Sequence, residues 1–165
     1  MTAAEKISPR ITLGLGEYGV CQDPHRSFIT YALGSCLGIT IYDPVSRVGG
    51  MLHVMLPASN ISPEKAKERP GMFVDTGLPH LFRAAYALGA DKTRLIVKVA
   101  GGAKRIQCDG QRIASRNVAA VRKVLWRNQV LIHAADTGGT HPRTMSLRLS
   151  DGEVTIKSNQ QSTPL

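Results

Sequence analysis

The chain has 165 residues, of which 42% are hydrophobic and 20% are charged, a composition typical of one globular domain with its own core. We therefore expect a single domain over residues 1–165, with an ordered core at about 10–157 and loose tails. Its apolar runs are far shorter than the roughly 20 residues of a membrane span, and the first residues lack a signal-peptide pattern. We expect a cytoplasmic protein without direct membrane insertion.

The charge is strongly positive, because 21 basic and 12 acidic side chains give a formal net charge of +9. A positive surface favours an acidic partner. Aromatic residues make up only 5% and the basic residues are dispersed, which argues against nucleic-acid binding. Cys21, Cys36 and Cys108 are an odd number of cysteines without CxxC spacing, so the sequence predicts neither a disulfide framework nor a zinc ribbon.

The first half of the chain predicts short strands separated by glycine and proline turns. These strands are expected at 11–15, 27–31, 36–42 and 51–56. A polar, proline-bearing stretch at 58–71 follows and predicts an exposed loop.

The second half alternates helices and strands. A helix is predicted from an N-cap at Asp75 or Thr76 to Gly89, and a second helix at 117–128. Strands are expected at 93–100 and 129–135, and a hairpin at 144–149 and 153–157. Because the strands come in a run before the first helix, we expect an α+β fold: layered mixed and antiparallel sheets in a sandwich, with two main helices packed outside.

Cys36 and His53 lie on two strands that we expect to form one antiparallel hairpin, closed by residues 43–46. Pairing Tyr42 with Arg47 places Cys36 directly opposite His53, with Cβ atoms about 5 Å apart. Alternation places the apolar residues of both strands on one face and the Cys–His pair on the other. We expect that second face to be open.

This pair suits nucleophilic catalysis. A free cysteine has a pKa of about 8.5, and a neighbouring imidazolium stabilises its thiolate, which is the reactive form. Backbone N–H groups around Ser35 and Cys36 can bind a developing oxyanion, and Gly34 lets a substrate approach closely. The alternative is that Cys36 is inert packing and His53 a hydrogen-bonded structural residue.

Seven short runs and one arginine carry a family pattern across nearly the whole chain. They are LGSC at 33–36, YDP at 42–44, GMLHVMLP at 50–57, DT at 75–76, GGAK at 101–104, RN at 116–117 and DTGG at 136–139, with Arg143. In this order they resemble the CheD family of chemoreceptor glutamine deamidases. The chain departs from the family pattern at Ala32 and at Ala114 and Ser115, where glycines are common.

The resemblance implies a layered sandwich fold and a protein-glutamine amidohydrolase. Its substrate would be the cytoplasmic helical bundle of chemoreceptors, where it converts selected glutamines to glutamate; some members also hydrolyse glutamate methyl esters. Cys36 would be the nucleophile, His53 the general base and acid, and Thr30 the residue that orients His53 through its hydroxyl or its carbonyl. No metal or cofactor is implied. Substrate-binding positions are expected at Gly34, Ser35, Arg116 and Asn117.

Other functions stay open at this point. One is a non-catalytic module that binds a CheC-type phosphatase, as some members of the family do; another is a different cysteine amidase or peptidase. His133, Asp136 and His141 lie near one another, but their spacing fits no common zinc motif. The GGAK run lacks the full spacing of a phosphate-binding loop, so we interpret it as a tight turn beside the substrate groove.

Overall fold

The structure is a computed structural model that describes residues 9–104 and 110–165. Strands in these residues form two five-stranded sheets stacked face to face. The outer sheet has the order β1 (Arg10–Thr12), β3 (Ser27–Leu33), β8 (Arg143–Arg148), β9 (Val154–Ser158), β10 (Gln161–Pro164). The central sheet has the order β2 (Tyr18–Cys21), β5 (Gly49–Val54), β4 (Leu37–Tyr42), β6 (Ile96–Gly101), β7 (Ile132–Thr137).

Both sheets are mixed. Strands β1 and β3 pair in parallel, as do β6 and β7, and the remaining neighbours are antiparallel. The predicted C-terminal hairpin is confirmed by β8 and β9, in which Thr144 lies opposite Lys157. Together with the helices, this arrangement confirms the predicted α+β class.

The described residues contain three α-helices, α1 (Pro63–Glu68), α2 (Val74–Ala87) and α3 (Gly110–Arg127), and three short 3-10 helices at Ser59–Ile61, Pro70–Met72 and Lys92–Arg94. Helices α2 and α3 cover the face of the central sheet that points away from the outer sheet, and their apolar sides complete the larger core. Leu78, Leu81 and Val121 are at most 1% exposed there. No helix in the described part of the chain combines the length and apolar character that a bilayer crossing requires.

Four local predictions need correction. The 58–71 loop contains α1. Helix α2 starts at Val74 with Phe73 as its N-cap, so neither Asp75 nor Thr76 caps it; Asp75 accepts hydrogen bonds from the N–H and hydroxyl of Ser59 instead. Strand β2 was not predicted. The expected loose tail after residue 157 forms β10, whose polar, exposed residues give no hydrophobic alternation. Of the predicted N-terminal tail, residues 1–8 lie outside the described residues.

The register of the β4–β5 hairpin differs from the prediction by two residues. Gly38, not Cys36, lies opposite His53, and Tyr42 lies opposite Gly49. The cause is Asp43, whose carboxylate accepts hydrogen bonds from the N–H groups of Val45 and Ser46. An aspartate bonded in this way precedes the turn rather than lying inside it, so the turn falls one residue later on each strand.

Asp43 is fully buried and fixes this turn to the rest of the central sheet. Burial acts to raise the pKa of Asp43, but the Arg94 guanidinium and backbone N–H groups outweigh it and hold the pKa well below its usual range. Arg94 contacts the carboxylate through Nε and Nη2, the latter at 2.8 Å. The N–H of Asp91 donates to the same carboxylate at 2.9 Å. The hairpin register therefore depends on one buried, fully bonded carboxylate.

We expect Asp43→Ala to lower the free energy of unfolding by about 2–3 kcal/mol, because Arg94 and three backbone N–H groups lose a buried partner. Urea denaturation measures this loss. The matched control is Asp151→Ala, which removes a half-exposed partner of Arg148 and should cost no more than about 1 kcal/mol. Equal losses in the two variants would contradict the anchoring role of Asp43.

Candidate active site

Thr30 and His53 meet between the two sheets. Thr30 lies on β3 and His53 on β5, and the Thr30 hydroxyl oxygen is 2.7 Å from His53 Nδ1. The same hydroxyl donates to the carbonyl of Leu13 at 2.8 Å. Because a hydroxyl has one proton, it accepts from His53, so we assign the proton to Nδ1 and a lone pair to Nε2. The contact between the two side chains is thus made by the Thr30 hydroxyl and not by its carbonyl.

His53 is 2% exposed, and its Nε2 atom is buried without a hydrogen-bond partner in the described residues. The backbone of His53 is fixed by bonds to the Glu17 carbonyl and from the Gly16 N–H, at 3.0 and 2.8 Å. Burial lowers the pKa of His53 to about 4, although the negative charge of Glu17 acts in the opposite direction. The imidazole is therefore neutral near pH 7 and keeps a free acceptor.

Cys36 is half-buried on the loop between β3 and β4, where it packs against the core between the sheets. Burial raises the pKa of the Cys36 thiol, and a hydrogen bond from its own backbone N–H offsets this only in part. The resting pair is a neutral thiol and a neutral imidazole. The thiolate–imidazolium pair expected from the sequence is not the resting state, because removal from water disfavours both charged forms.

Cys36 and His53 both face the space between the two sheets, as predicted, but they are not opposite neighbours, because Cys36 lies on the loop just before β4. Cys36 precedes Gly38 by two residues, and Gly38 faces His53. Their face is not open, because the outer sheet covers it. A Cβ atom at Gly38 would lie 2.8 Å from the Met145 sulfur, so this glycine lets the outer sheet bring Thr30 up to His53.

The loop that carries Cys36 is held by all three of its carbonyls. The Gly34 carbonyl accepts from the Ala103 N–H at 2.7 Å, and the Cys36 carbonyl accepts from the Gly102 N–H at 2.9 Å. The Ser35 carbonyl accepts from the side-chain amide of Asn117 at 3.0 Å. The GGAK run is therefore a turn that clamps the loop, not a free phosphate-binding loop.

This clamp depends on glycine at position 101. Its φ angle of +116° is strained for any residue with a side chain, and a Cβ atom there would lie 2.3 Å from the Cys36 carbonyl oxygen. The close approach brings the end of β6 directly against the Cys36 loop.

Comparison with known proteins shows which family the chain belongs to. The family model described as "CheD chemotactic sensory transduction" matches residues 55–158. The chain is 45% identical over 150 residues to "Probable chemoreceptor glutamine deamidase CheD 1" of Syntrophus aciditrophicus, which covers 90% of this chain and 94% of that protein. The chain belongs to the CheD family.

Other relatives carry related names. "Probable chemoreceptor glutamine deamidase CheD 2" of Anaeromyxobacter dehalogenans is 45% identical over 94% of this chain and 98% of its own length. "Chemoreceptor glutamine deamidase CheD" of Thermotoga maritima is 37% identical over 88% and 89%. Among solved structures, the Neisseria meningitidis protein NMB0706 is similar with a TM-score of 0.45 and 13% identity, over 80% of this chain and 63% of that one.

The four substrate-binding positions expected in this CheD-family chain have different environments. Gly34 and Ser35 are partly exposed, and open space surrounds the position of a Cβ atom at Gly34. Arg116 is exposed on α3. Asn117 is fully buried, and its amide donates to the carbonyls of Ser35 and Met55, both at 3.0 Å. Its side chain lies beneath the loop and does not line an open surface.

The remaining candidate residues make other contacts. His133 Nδ1 accepts from the Val97 N–H at 3.1 Å, and Asp136 pairs with Arg143 at 3.2 Å. Across residues 9–104 and 110–165, no three His, Cys, Asp or Glu side chains are grouped to hold a metal. Cys21 is half-buried on β2. Cys108 lies outside the described residues.

Sequence reasoning missed the segment that supports His53 from behind. Leu13 accepts the Thr30 hydroxyl, and Gly16 and Glu17 bind the His53 backbone. One signal was available in the GLG run at 14–16, because Gly16 has a φ of +72° and packs against Met72. The run marks a turn that presents its backbone to β5.

His53 should make the stability of the protein depend on pH. Its pKa is about 4 in the folded protein against about 6.5 in the unfolded chain, so the unfolded chain binds more protons as the pH falls. The neutral, buried His53 therefore contributes its full stabilisation above about pH 6.5. This contribution declines as the pH falls and is lost below about pH 4, where the total loss is about 3 kcal/mol.

We expect His53→Gln to lack this component, so that its loss of stability between pH 7 and pH 4 is smaller than that of the wild type. Urea denaturation at several pH values measures the difference. Parallel pH profiles for the two proteins would show that His53 is not buried in its neutral form.

Proposed function

We propose that this chain is a protein-glutamine amidohydrolase that deamidates glutamine side chains of chemoreceptors, with Cys36 as nucleophile, His53 as general base and acid, and Thr30 as the orienting residue. One observation carries the proposal. The Thr30 hydroxyl engages His53 Nδ1 and leaves a buried, unpartnered Nε2 on the face that bears Cys36. In support, two relatives at 45% identity are named "Probable chemoreceptor glutamine deamidase CheD" 1 and 2.

The first step is attack by sulfur on the glutamine side-chain carbonyl. Because both groups are neutral at rest, the thiol proton passes to His53 Nε2 as the S–C bond forms. Rotation of the Cys36 side chain brings the sulfur towards the imidazole. The oxyanion that develops on the substrate is bound by the N–H groups of Ser35 and Cys36, whose loop is held rigid by its three bonded carbonyls.

The second half of the reaction returns the enzyme to its starting state. The His53 imidazolium donates its proton to the amide nitrogen, the C–N bond breaks, and ammonia leaves behind a glutamyl thioester at Cys36. Nε2 then takes a proton from water, which attacks the thioester and releases glutamate and the thiol. Every proton passes through one nitrogen, so the scheme requires neither a metal nor a cofactor. The same thioester route hydrolyses a glutamate methyl ester.

The other assigned residues position these groups. Thr30 fixes the tautomer of His53 and stabilises the imidazolium that forms when Nε2 is protonated. Asn117 ties the Cys36 loop to the end of β5 and is a positioning residue. Gly34 and Ser35 border the path of the substrate, and Arg116 contacts substrate at its edge.

The expected setting is the bacterial cytoplasm, where the substrate is the helical bundle of the receptor's cytoplasmic domain. Binding to a CheC-type phosphatase remains an implication of family membership. The assay that tests deamidation also separates these functions. Deamidation raises the mass of a receptor peptide by about one dalton, because an amide NH₂ is replaced by OH, whereas a peptidase shortens the receptor and a binding module leaves it unchanged.

We expect Cys36→Ser and His53→Ala each to lower ammonia release from a receptor fragment by about a thousandfold or more, because each removes a group that every turnover uses. Cys21→Ser is the matched control: this half-buried cysteine on β2 should keep wild-type activity. Mass spectrometry of the fragment and an ammonia assay measure the effect. Near-normal activity in either site variant would rule out the assignment.

Thr30 can be tested without removing its bulk. We expect Thr30→Val to lower kcat by about a hundredfold, because Nδ1–H loses its acceptor, while Thr30→Ser keeps the hydroxyl and most of the activity. A purely structural role predicts the opposite order, since valine preserves the packing better than serine does. Steady-state kinetics of the two variants on one receptor fragment distinguish these roles.

A further inference from the structure

The outer face of α3 carries a row of exposed side chains that the catalytic scheme does not require as a set. We call this row the basic stripe: Arg112, Arg116, Ala119, Lys123 and Trp126. Successive members are four, three, four and three residues apart, the spacing that keeps side chains on one side of a helix facing a partner helix. From first to last member the stripe is about 21 Å long.

The stripe has one sign of charge. Helix α3 contains no acidic residue and five basic residues. Arg112, Arg116 and Lys123 belong to the stripe, and Arg122 and Arg127 lie beside it. Within the described part of the chain, Arg116, Lys123 and Arg127 form no ion pair. A concentration of unpaired positive charge on one helix attracts anionic side chains and repels a second copy of the same surface.

Trp126 closes the stripe and is 80% exposed, although it is the only tryptophan of the chain. Tryptophan is highly buried on average, so a nearly free indole next to basic side chains is unusual for a surface that only meets water. Tryptophan and arginine are the residues that most often dominate binding energy at protein interfaces. The exposed methyl of Ala119 leaves room for a partner helix to approach the middle of the stripe.

The stripe begins beside the candidate active site. Arg116 immediately precedes Asn117, whose amide holds the carbonyl of Ser35 in the Cys36 loop. A helix docked along the stripe would run from the turn of α3 that holds this loop to Trp126. Nucleic acid or an anionic membrane would also be attracted by the charge, but neither carries a glutamine to Cys36.

We propose that the basic stripe is a docking surface for an acidic α-helix of the protein substrate, which lies along α3 while a glutamine is held at Cys36. This proposal rests on the proposed function and adds the class of partner, a negatively charged helical segment. It explains how a small loop can select glutamines within a long helical protein. Contacts along the stripe raise the affinity for the substrate helix and its rate of association, and the loop binds only the reacting side chain.

Trp126 makes docking directly observable with a receptor fragment that lacks tryptophan, because all tryptophan emission then comes from the stripe. Cys36→Ser protein is titrated at low salt with the purified cytoplasmic fragment of a chemoreceptor from the same organism. We expect a blue shift of the emission, and an affinity that Lys123→Glu lowers by about tenfold or more and that added salt weakens. Lys92→Glu is the control: it changes the net charge equally on an exposed residue outside α3 and should bind as the parent does.

Turnover gives an independent second readout. With Cys36 intact, Lys123→Glu should lower kcat/KM for the receptor fragment by about tenfold but leave kcat/KM for a short glutamine peptide nearly unchanged, because the peptide is too short to reach the stripe. A blue shift without deamidation of either substrate would uphold docking and overturn the proposed function. An unshifted emission, an equal loss in Lys92→Glu, or a shift only with anionic vesicles or duplex DNA would overturn the docking proposal.

Discussion

The hydrogen bond from His53 Nδ1 to the Thr30 hydroxyl is the contact on which the candidate site depends. It joins the central sheet to the outer sheet, with 2.7 Å between the two atoms, and holds the ring proton on Nδ1, so that Nε2 keeps its lone pair. The Thr30 hydroxyl donates its hydrogen bond to the Leu13 carbonyl, so towards His53 it can act only as an acceptor. Stacking of the two sheets is thus what sets the protonation pattern of the histidine.

Burial gives this site its chemical character. The same removal from water that lowers the pKa of His53 raises that of the Cys36 thiol, so both groups are stored in their neutral forms. In the proposed mechanism a substrate carbonyl has to arrive before charge develops, and the loop and Thr30 are assigned to stabilise the developing oxyanion and imidazolium. An arrangement of this kind limits side reactions of a free thiolate with oxidants or other electrophiles.

Much of the fold and of the site followed from the sequence, and the errors have physical causes. Alternation correctly placed Cys36 and His53 on one face, because the period of a strand is two whatever the register. The register itself depended on which residue carries the Asx hydrogen bonds: the prediction placed Asp43 inside the turn, whereas Asp43 directly precedes the observed turn at 44–47. The face that bears Cys36 and His53 was expected to be open, but Gly38 and Gly49 on it mark close approach of the outer sheet, since a missing side chain is equally consistent with both. The role of Thr30 came from family resemblance alone, because no local pattern links it to His53 across 23 residues.

The tautomer and charge of His53 are the most direct test of this account. Nitrogen-15 NMR of the selectively labelled imidazole distinguishes protonated from unprotonated Nδ1 and Nε2. The account predicts a neutral ring at pH 7 with the proton on Nδ1, a bare Nε2, and titration only near pH 4. A proton resident on Nε2, or an imidazolium that titrates near its ordinary pKa of about 6.5, would contradict it.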